Sequence, residues 1–215
     1  MLVLPVMASE SPETDSEIPA VTSDESAVPT EIPAIPAERQ KPLLVDDAGL
    51  LTEEESSALL NKLEDISKRY ENEVAVVTVN SLEGKTAEAY ADDYYDYNGY
   101  GYGENDDGLL LLISMGEREW AISTYGYSHT VAFTDAGLEF ISGQFQSKLS
   151  SGNYADAFNC FADQCDDFLR QAATGEPYDV GNMPPKGKVH PFWLVTDLVV
   201  AFLISFGLVK SKSKN

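Results

Sequence analysis

Two short apolar runs limit what this chain can fold into more than any other feature. Glu73 to Asn80 reads EVAVVTVN, dominated by β-branched residues, and Leu109 to Ser114 reads LLLLIS. Runs of this length and composition are expected to be buried strands. The segment between them is long enough for a helix, and a strand–helix–strand connection normally sets its strands parallel. The tight turn Met115 to Arg118 then leads to another strand, Trp120 to Thr124, paired antiparallel with its predecessor.

Helix signals surround these strands. Thr52-Glu53-Glu54-Glu55 has capping-box form and starts a helix whose Leu59, Leu63, Ile66 and Tyr70 share a face. Thr86 caps a second helix to about Asn98, with Tyr90, Tyr94 and Tyr97 along one side. Phe133 and Leu138 flank Thr134 as a hydrophobic staple, starting a third helix to about Ser150. Tyr154 to Thr174 forms the fourth. The order α-β-α-β-β-α-α predicts an α/β domain over residues 43–173, a small sheet covered by helices on both faces.

Charge narrows the partners. The chain carries a formal −22, and residues 43–173 alone hold 25 acidic against 7 basic side chains. Such a segment repels phosphate backbones, so no nucleic acid partner is expected. It repels anionic small substrates too, unless a bound cation intervenes. Cys160 and Cys165 lie five apart in the fourth helix, about 8–9 Å between Cα atoms and beyond disulfide reach. Cys165 falls on the apolar face with Phe158, Phe161 and Phe168.

Both ends point to a membrane. Residues 1–8, MLVLPVMA, resemble the back half of a signal peptide with cleavage before Ser9. Residues 9–42 hold six prolines, no glycine and no aromatic, a composition expected to stay disordered. After a linker over 174–191, Phe192 to Val209 is an apolar run that spans about 27 Å as a helix, enough to cross a bilayer core. Trp193 suits the interface, and Lys210, Lys212 and Lys214 form a basic tail over 210–215, although Asp197 interrupts the run. The expected localisation is the cell membrane, single-pass, with the domain outside the cytoplasm. Without a working signal, the chain becomes tail-anchored with a cytoplasmic domain.

The stretch NDDGLLLLI sets two carboxylates against the start of a strand. Hairpin pairing brings Asp106 and Asp107 beside Tyr125-Gly126-Tyr127, and parallel pairing brings the Glu73 end to the same edge. A second pair, Asp46-Asp47, precedes the first helix, and Asp135 opens the third. If these loops converge, Asp46, Asp47, Asp106, Asp107 and Asp135 form a divalent-cation site. Ca²⁺, which takes six to eight oxygens in irregular geometry, is favoured over Mg²⁺. The competing expectation is turn and helix-start chemistry.

Three motifs in register, VDDAGLLTEEE, DDGLLLLIS and STYGYSHTVAFTDAG, resemble the TPM domain. That family takes its name from a thylakoid lumen phosphatase-like protein, a photosystem II repair protein and an acetylcholine-receptor accessory protein. The resemblance covers roughly residues 43–173 and suggests a bacterial membrane-anchored member. It implies a three-layer α/β/α sandwich with a small mixed sheet, here followed by a C-terminal transmembrane helix. It places Asp46, Asp106, Asp107 and Asp135 at the family's acidic positions and Arg118 at its basic one, although Arg118 sits at the hairpin turn, far from Asp106. Asp107 stands where members commonly have Asn.

Two functions follow as expectations. One is an extracytoplasmic accessory module for membrane proteins, its protein partner unknown, with the tyrosine-rich run Tyr90 to Tyr102 as a contact surface. The other is a metal-dependent phosphatase of low specificity using the same aspartates. Direct phosphatase signatures are missing: Cys165 precedes Arg170 by five residues without a glycine cradle, and no glycine-rich loop precedes a helix. His129 is the one candidate general acid.

Overall fold

The two apolar runs form strands over Glu73–Val79 and Gly108–Ser114, each buried at every residue, in the computed structural model, which describes residue 36 and residues 38–184. The elements are β1 (Leu44–Asp46), α1 (Glu53–Tyr70), β2 (Glu73–Val79), α2 (Ala87–Tyr97), β3 (Gly108–Ser114), β4 (Glu119–Tyr125), α3 (Asp135–Ser150) and α4 (Tyr154–Ala172). They build one four-stranded sheet in the order β1-β2-β3-β4. β2 lies parallel to β3 with Glu73 opposite Gly108, and β3 lies antiparallel to β4 with Gly108 opposite Tyr125. Both pairings are those expected from the sequence.

β1 is the strand that the sequence conceals. Its three residues pair parallel with β2, Leu44 opposite Val76 and Asp46 opposite Thr78. Three residues are too few to show a period, and the turn chemistry of Asp46-Asp47-Ala48-Gly49 follows at once. The helix starts are the expected ones. Thr52 makes a reciprocal capping box with Glu55, and Thr86 and Thr134 each accept a backbone N–H in the first turn of their helices.

Alternation along β4 fixes the layers. Trp120 meets Phe145 of α3 edge-on at 5.5 Å between centroids. The opposite parity meets α2: the Ser123 hydroxyl donates to Asp92, and Tyr125 stacks on Tyr95 at 4.0 Å. α2 and α3 therefore cover opposite faces. α4 joins α3 through Phe145 and Phe161, and joins α1 through Lys62–Asp163 and Arg69–Asp166. One layer holds α1, α3 and α4, and the other holds α2 alone. β1, β2 and β3 step across the sheet in one direction while their connecting helices take opposite faces. The two crossovers consequently have opposite hands, and one departs from the right-handed rule.

Cys165 is fully buried in α4, its thiol pushed well up by that burial, and neither cysteine is in a disulfide. Among the described residues, no helix is long and apolar enough to cross a membrane. Residues 1–8, 192–209 and 210–215 lie outside the described part, as does most of 9–42.

Residues 38–42, which composition assigns to the disordered segment, are instead strapped onto the domain. Gln40 N donates to Asn98 O at 2.8 Å, and Tyr100 OH donates to Pro42 O at 2.8 Å. A Cβ on Gly99, at φ +62°, would stand 2.6 Å from Glu38 O. Arg39 lays Nε on Glu73 Oε1 and Nη2 on Glu64 Oε1, both at 3.0 Å. The other Glu73 oxygen accepts Gly101 N at 2.9 Å. Specific polar pairing of this kind is not visible in Pro/Glu-rich composition.

Burial pushes the Glu73 carboxyl above its ordinary value; the Gly101 N–H and Arg39 oppose the rise and Glu64 adds to it. The native state thus holds this proton more tightly than the unfolded chain. The group's contribution to stability is complete below the ordinary value of 4.5 and is lost as pH rises through the native one. Urea denaturation of wild type and Glu73→Gln at a series of pH values should show the wild-type advantage largest near about pH 4 and shrinking toward about pH 7. An advantage that grows over that window would mean that pairing with Arg39 outweighs burial.

Candidate functional site

Asp107 shows what the adjacent carboxylates do. Its N–H donates to Tyr102 O at 3.0 Å, and its carbonyl accepts from Tyr102 N and Glu73 N, each at 2.9 Å. Its side-chain Oδ1 accepts the N–H of Tyr127 at 2.5 Å. Gly126 makes room for this: it sits at φ +55°, and a Cβ there would fall 2.0 Å from Asp107 Oδ1. Asp107 is therefore a clasp between the start of β3 and the end of β4. Asp106 adopts a left-handed φ of 52°, its carbonyl accepts Tyr95 OH at 3.0 Å, and its carboxylate is exposed. Gly101 lies so close that a Cβ would stand 2.5 Å from Asp106 Cα.

The segment after Tyr127 is held from below. Ser128 is buried at the start of a π-turn over Ser128–Ala132, and its hydroxyl donates to Asn72 Oδ1 at 2.7 Å. His129 Nδ1 lies 3.2 Å from Thr124 Oγ1, on the exposed side.

The five aspartates do not converge. Parallel pairing sets Asp46 beside Thr78, five residues along β2 from Glu73 and so about 16 Å from the Asp107 edge. The expectation took Asp46-Asp47 as a loop free to swing to that edge; as the end of a parallel strand it leaves from the opposite one. Asp46 is a turn anchor there: its carboxylate accepts Leu50 N at 3.1 Å, Leu51 N at 2.9 Å and the Thr78 hydroxyl at 2.5 Å. Asp47 is exposed at the same far end, and its carbonyl accepts Asn80 Nδ2 at 3.0 Å. Asp135 is exposed in the first turn of α3, where a carboxylate complements the helix dipole. Among the described residues no three acidic, histidine or cysteine side chains form a group able to hold a metal ion. The donor set thus does not fit the oxygen-rich shell that Ca²⁺ requires. Arg118, at φ +59° in the hairpin turn, is at the far end as expected, beside a smaller cavity of about 260 Å³ under Trp120 and Tyr154.

What the topology does build at the Asp107 edge is an open cleft of about 700 Å³. Its walls are the end of α1 from Lys68 to Glu71, the loop from Tyr102 to Asn105, Asp107 with Tyr127, and Leu169 and Ala173 at the end of α4. Tyr102 is 40% and Tyr127 36% exposed. The rest of the tyrosine run behaves otherwise. Tyr95 and Tyr100 are core residues at 1% and 2% exposure, so of the contact surface expected across Tyr90 to Tyr102 the exposed rings are Tyr97 and Tyr102, and Tyr102 alone lines the cleft. Burial raises both phenols far above their ordinary range. Helical spacing alone could not separate the tyrosines that pack on the sheet from those that leave it.

Of the two bases at the cleft, Arg69 is matched and Lys68 reaches a carboxylate only loosely. Arg69 pairs with Asp65 and with Asp166, and its guanidinium stands 5.3 Å from the centre of the Tyr70 ring. Lys68 Nζ lies 3.9 Å from Glu64. Glu71 and Glu104 line the same cleft and are in no ion pair among the described residues. From sequence, Arg69, Tyr70 and Glu71 belong only to the end of a helix. The pointer to a site is spatial, since α1 and α4 both end where the Asp107 clasp closes.

The fold has known relatives. A family model described as the TPM domain matches residues 44–168. The N-terminal domain of a protein from P. gingivalis, solved by NMR, is similar with a TM-score of 0.54 and 23% identity over 65% of this chain and 88% of that one. The BA42 protein from the psychrophilic bacterium Bizionia argentinensis is similar with a TM-score of 0.51 and 15% identity, over 62% of this chain and 88% of its own. No curated protein matches the chain. At these identities the two solved structures speak for the fold alone.

The clasp makes a direct expectation. Gly126→Ala should cost about 1–2 kcal/mol from the left-handed backbone alone, with more from the collision with Asp107. Asp107→Asn keeps an acceptor oxygen and should cost about 1 kcal/mol or less. Urea denaturation gives both values, and the Tyr127 amide proton shift reports whether the clasp is closed.

Proposed function

The chain belongs to the TPM domain family, and from that premise and the cleft we propose that it is an interaction module held at a membrane. Its domain lies outside the cytoplasm and serves as an accessory to membrane proteins. The observation that carries this reading is the open cleft beside the Asp107 clasp, flanked by the exposed rings of Tyr102 and Tyr127. Tyrosines standing free of the core over a concave surface are typical docking residues. The apolar run Phe192 to Val209 and the signal-like residues 1–8 support attachment to a membrane and export.

Recognition suits the cleft better than bond breaking. Glu71, Glu104 and Asp107 outnumber its cations Lys68 and Arg69, and carboxylates repel a phosphoryl group. The two cysteines sit on α4 with thiols raised by burial, which weakens them as nucleophiles.

The test places a photo-crosslinking residue at Tyr102, at Glu104, or at exposed Glu54 as a control, in the full chain in cells. The expected result is one discrete adduct from the two cleft positions, in the membrane fraction, and none from Glu54. Equal labelling from all three positions would remove the cleft as the docking surface. A chain recovered wholly in the soluble fraction would remove the anchor.

A further inference from the structure

We propose that the cleft receives an alkylammonium group, the side-chain cation of a lysine on the docking partner. This rests on the cleft being the docking surface and adds the chemistry that it recognises.

Charge selects the sign. Arg69 is matched by Asp65 and Asp166, and Lys68, 77% exposed, stands 3.9 Å from Glu64, which Arg39 also holds. Glu71, Glu104 and Asp107 remain as the cleft's own carboxylates, and Asp107 gives one oxygen to the Tyr127 N–H. Backbone dipoles add to this. α1 ends at Tyr70 and α4 at Ala172, beside the cleft residues Glu71 and Ala173, and a helix carries its partial negative charge at that end. An anion entering here would meet carboxylates and carbonyl ends together.

Aromatic surface selects the kind of cation. Tyr70, Tyr102 and Tyr127 all line the cleft, and a ring face attracts a cation that has shed part of its water. Arg69 already lies over Tyr70, so the same chemistry operates inside the protein. The rings left for a partner are Tyr102 and Tyr127, both exposed. A hard divalent ion asks for several converging oxygens, and those are not assembled here. An ammonium on an apolar stem asks for one or two carboxylates and a ring, which this cleft offers. Its volume of about 700 Å³ accepts a whole side chain.

The probe is n-butylammonium, titrated into the full chain in detergent micelles carrying 3-fluorotyrosine, with 1-butanol as the uncharged counterpart and inorganic phosphate and Ca²⁺ as competitors. Fluorine resonances are assigned with Tyr102→Phe and Tyr127→Phe. The proposal expects saturable shifts at Tyr102 and Tyr127 with butylammonium, none with butanol, and weakening as salt rises from about 0.05 to 0.5 M. Glu104→Gln and Tyr102→Leu should each weaken the response by about 2- to 5-fold. Equal shifts with butanol would make the cleft an apolar groove and overturn the proposal. A stronger response to phosphate, or displacement of butylammonium by Ca²⁺, would overturn it as well. The docking reading is judged separately. Crosslinks from Tyr102 that persist when butylammonium is silent leave the docking surface standing and reject only its chemistry.

Discussion

The frame around the cleft depends on Glu73. Its amide donates to the carbonyl of Asp107, which fixes the register of β2 against the start of β3. Its carboxylate holds Gly101 N–H with one oxygen and Arg39 with the other. A buried carboxylate is costly unless it is paired and hydrogen-bonded, and these two partners offset part of that cost from separate parts of the chain. The sheet edge, the loop from Gly99 to Asp107 and the strap over residues 38–42 are thereby joined at one side chain. Tyr102 and Asp107 inherit their positions from that junction.

Charge distribution extends the same logic outward. The domain is strongly acidic, and two of its seven basic groups tie α1 to α4, where Lys62 meets Asp163 and Arg69 meets Asp166. The seam binds helices that would otherwise repel through their carboxylates. At the cleft that pairing takes up Arg69, while the carboxylates of Glu71 and Glu104 are in no ion pair among the described residues. A surface organised in this way selects partners by sign before any shape is read.

Much of this architecture was legible in the chain. The strands β2, β3 and β4, the four helices and the three threonine caps all follow from local signals such as EVAVVTV, LLLLI and the spacing of Thr52 and Glu55. The hairpin placed Asp106 and Asp107 beside Tyr125, Gly126 and Tyr127, as found. What could not be read was set by non-local pairing. β1 is three residues long, and missing it sent Asp46 and Asp47 to the wrong edge. The strap is made by Arg39 reaching Glu64 and Glu73, partners distant along the chain. The cleft arises where two helices end together, a coincidence in space that leaves no period or motif. Tyr95 and Tyr102 look alike in the run, and only packing shows one as core and the other as surface.

The opposite hands of the two crossovers leave α2 alone on its side of the sheet, and this gives the domain uneven resistance to local opening. α1, α3 and α4 brace one another, whereas α2 is held by β3, β4 and a chain of rings running from Tyr90 through Tyr94 and Tyr100 to Tyr95 and Tyr125. An element with no helical neighbour is a natural unit of partial unfolding. The loop that follows α2 carries Tyr102 and leads to Asp107. Breathing of the thin layer would therefore reach the outer wall of the cleft first, while the wall built by α1 and α4 stays still.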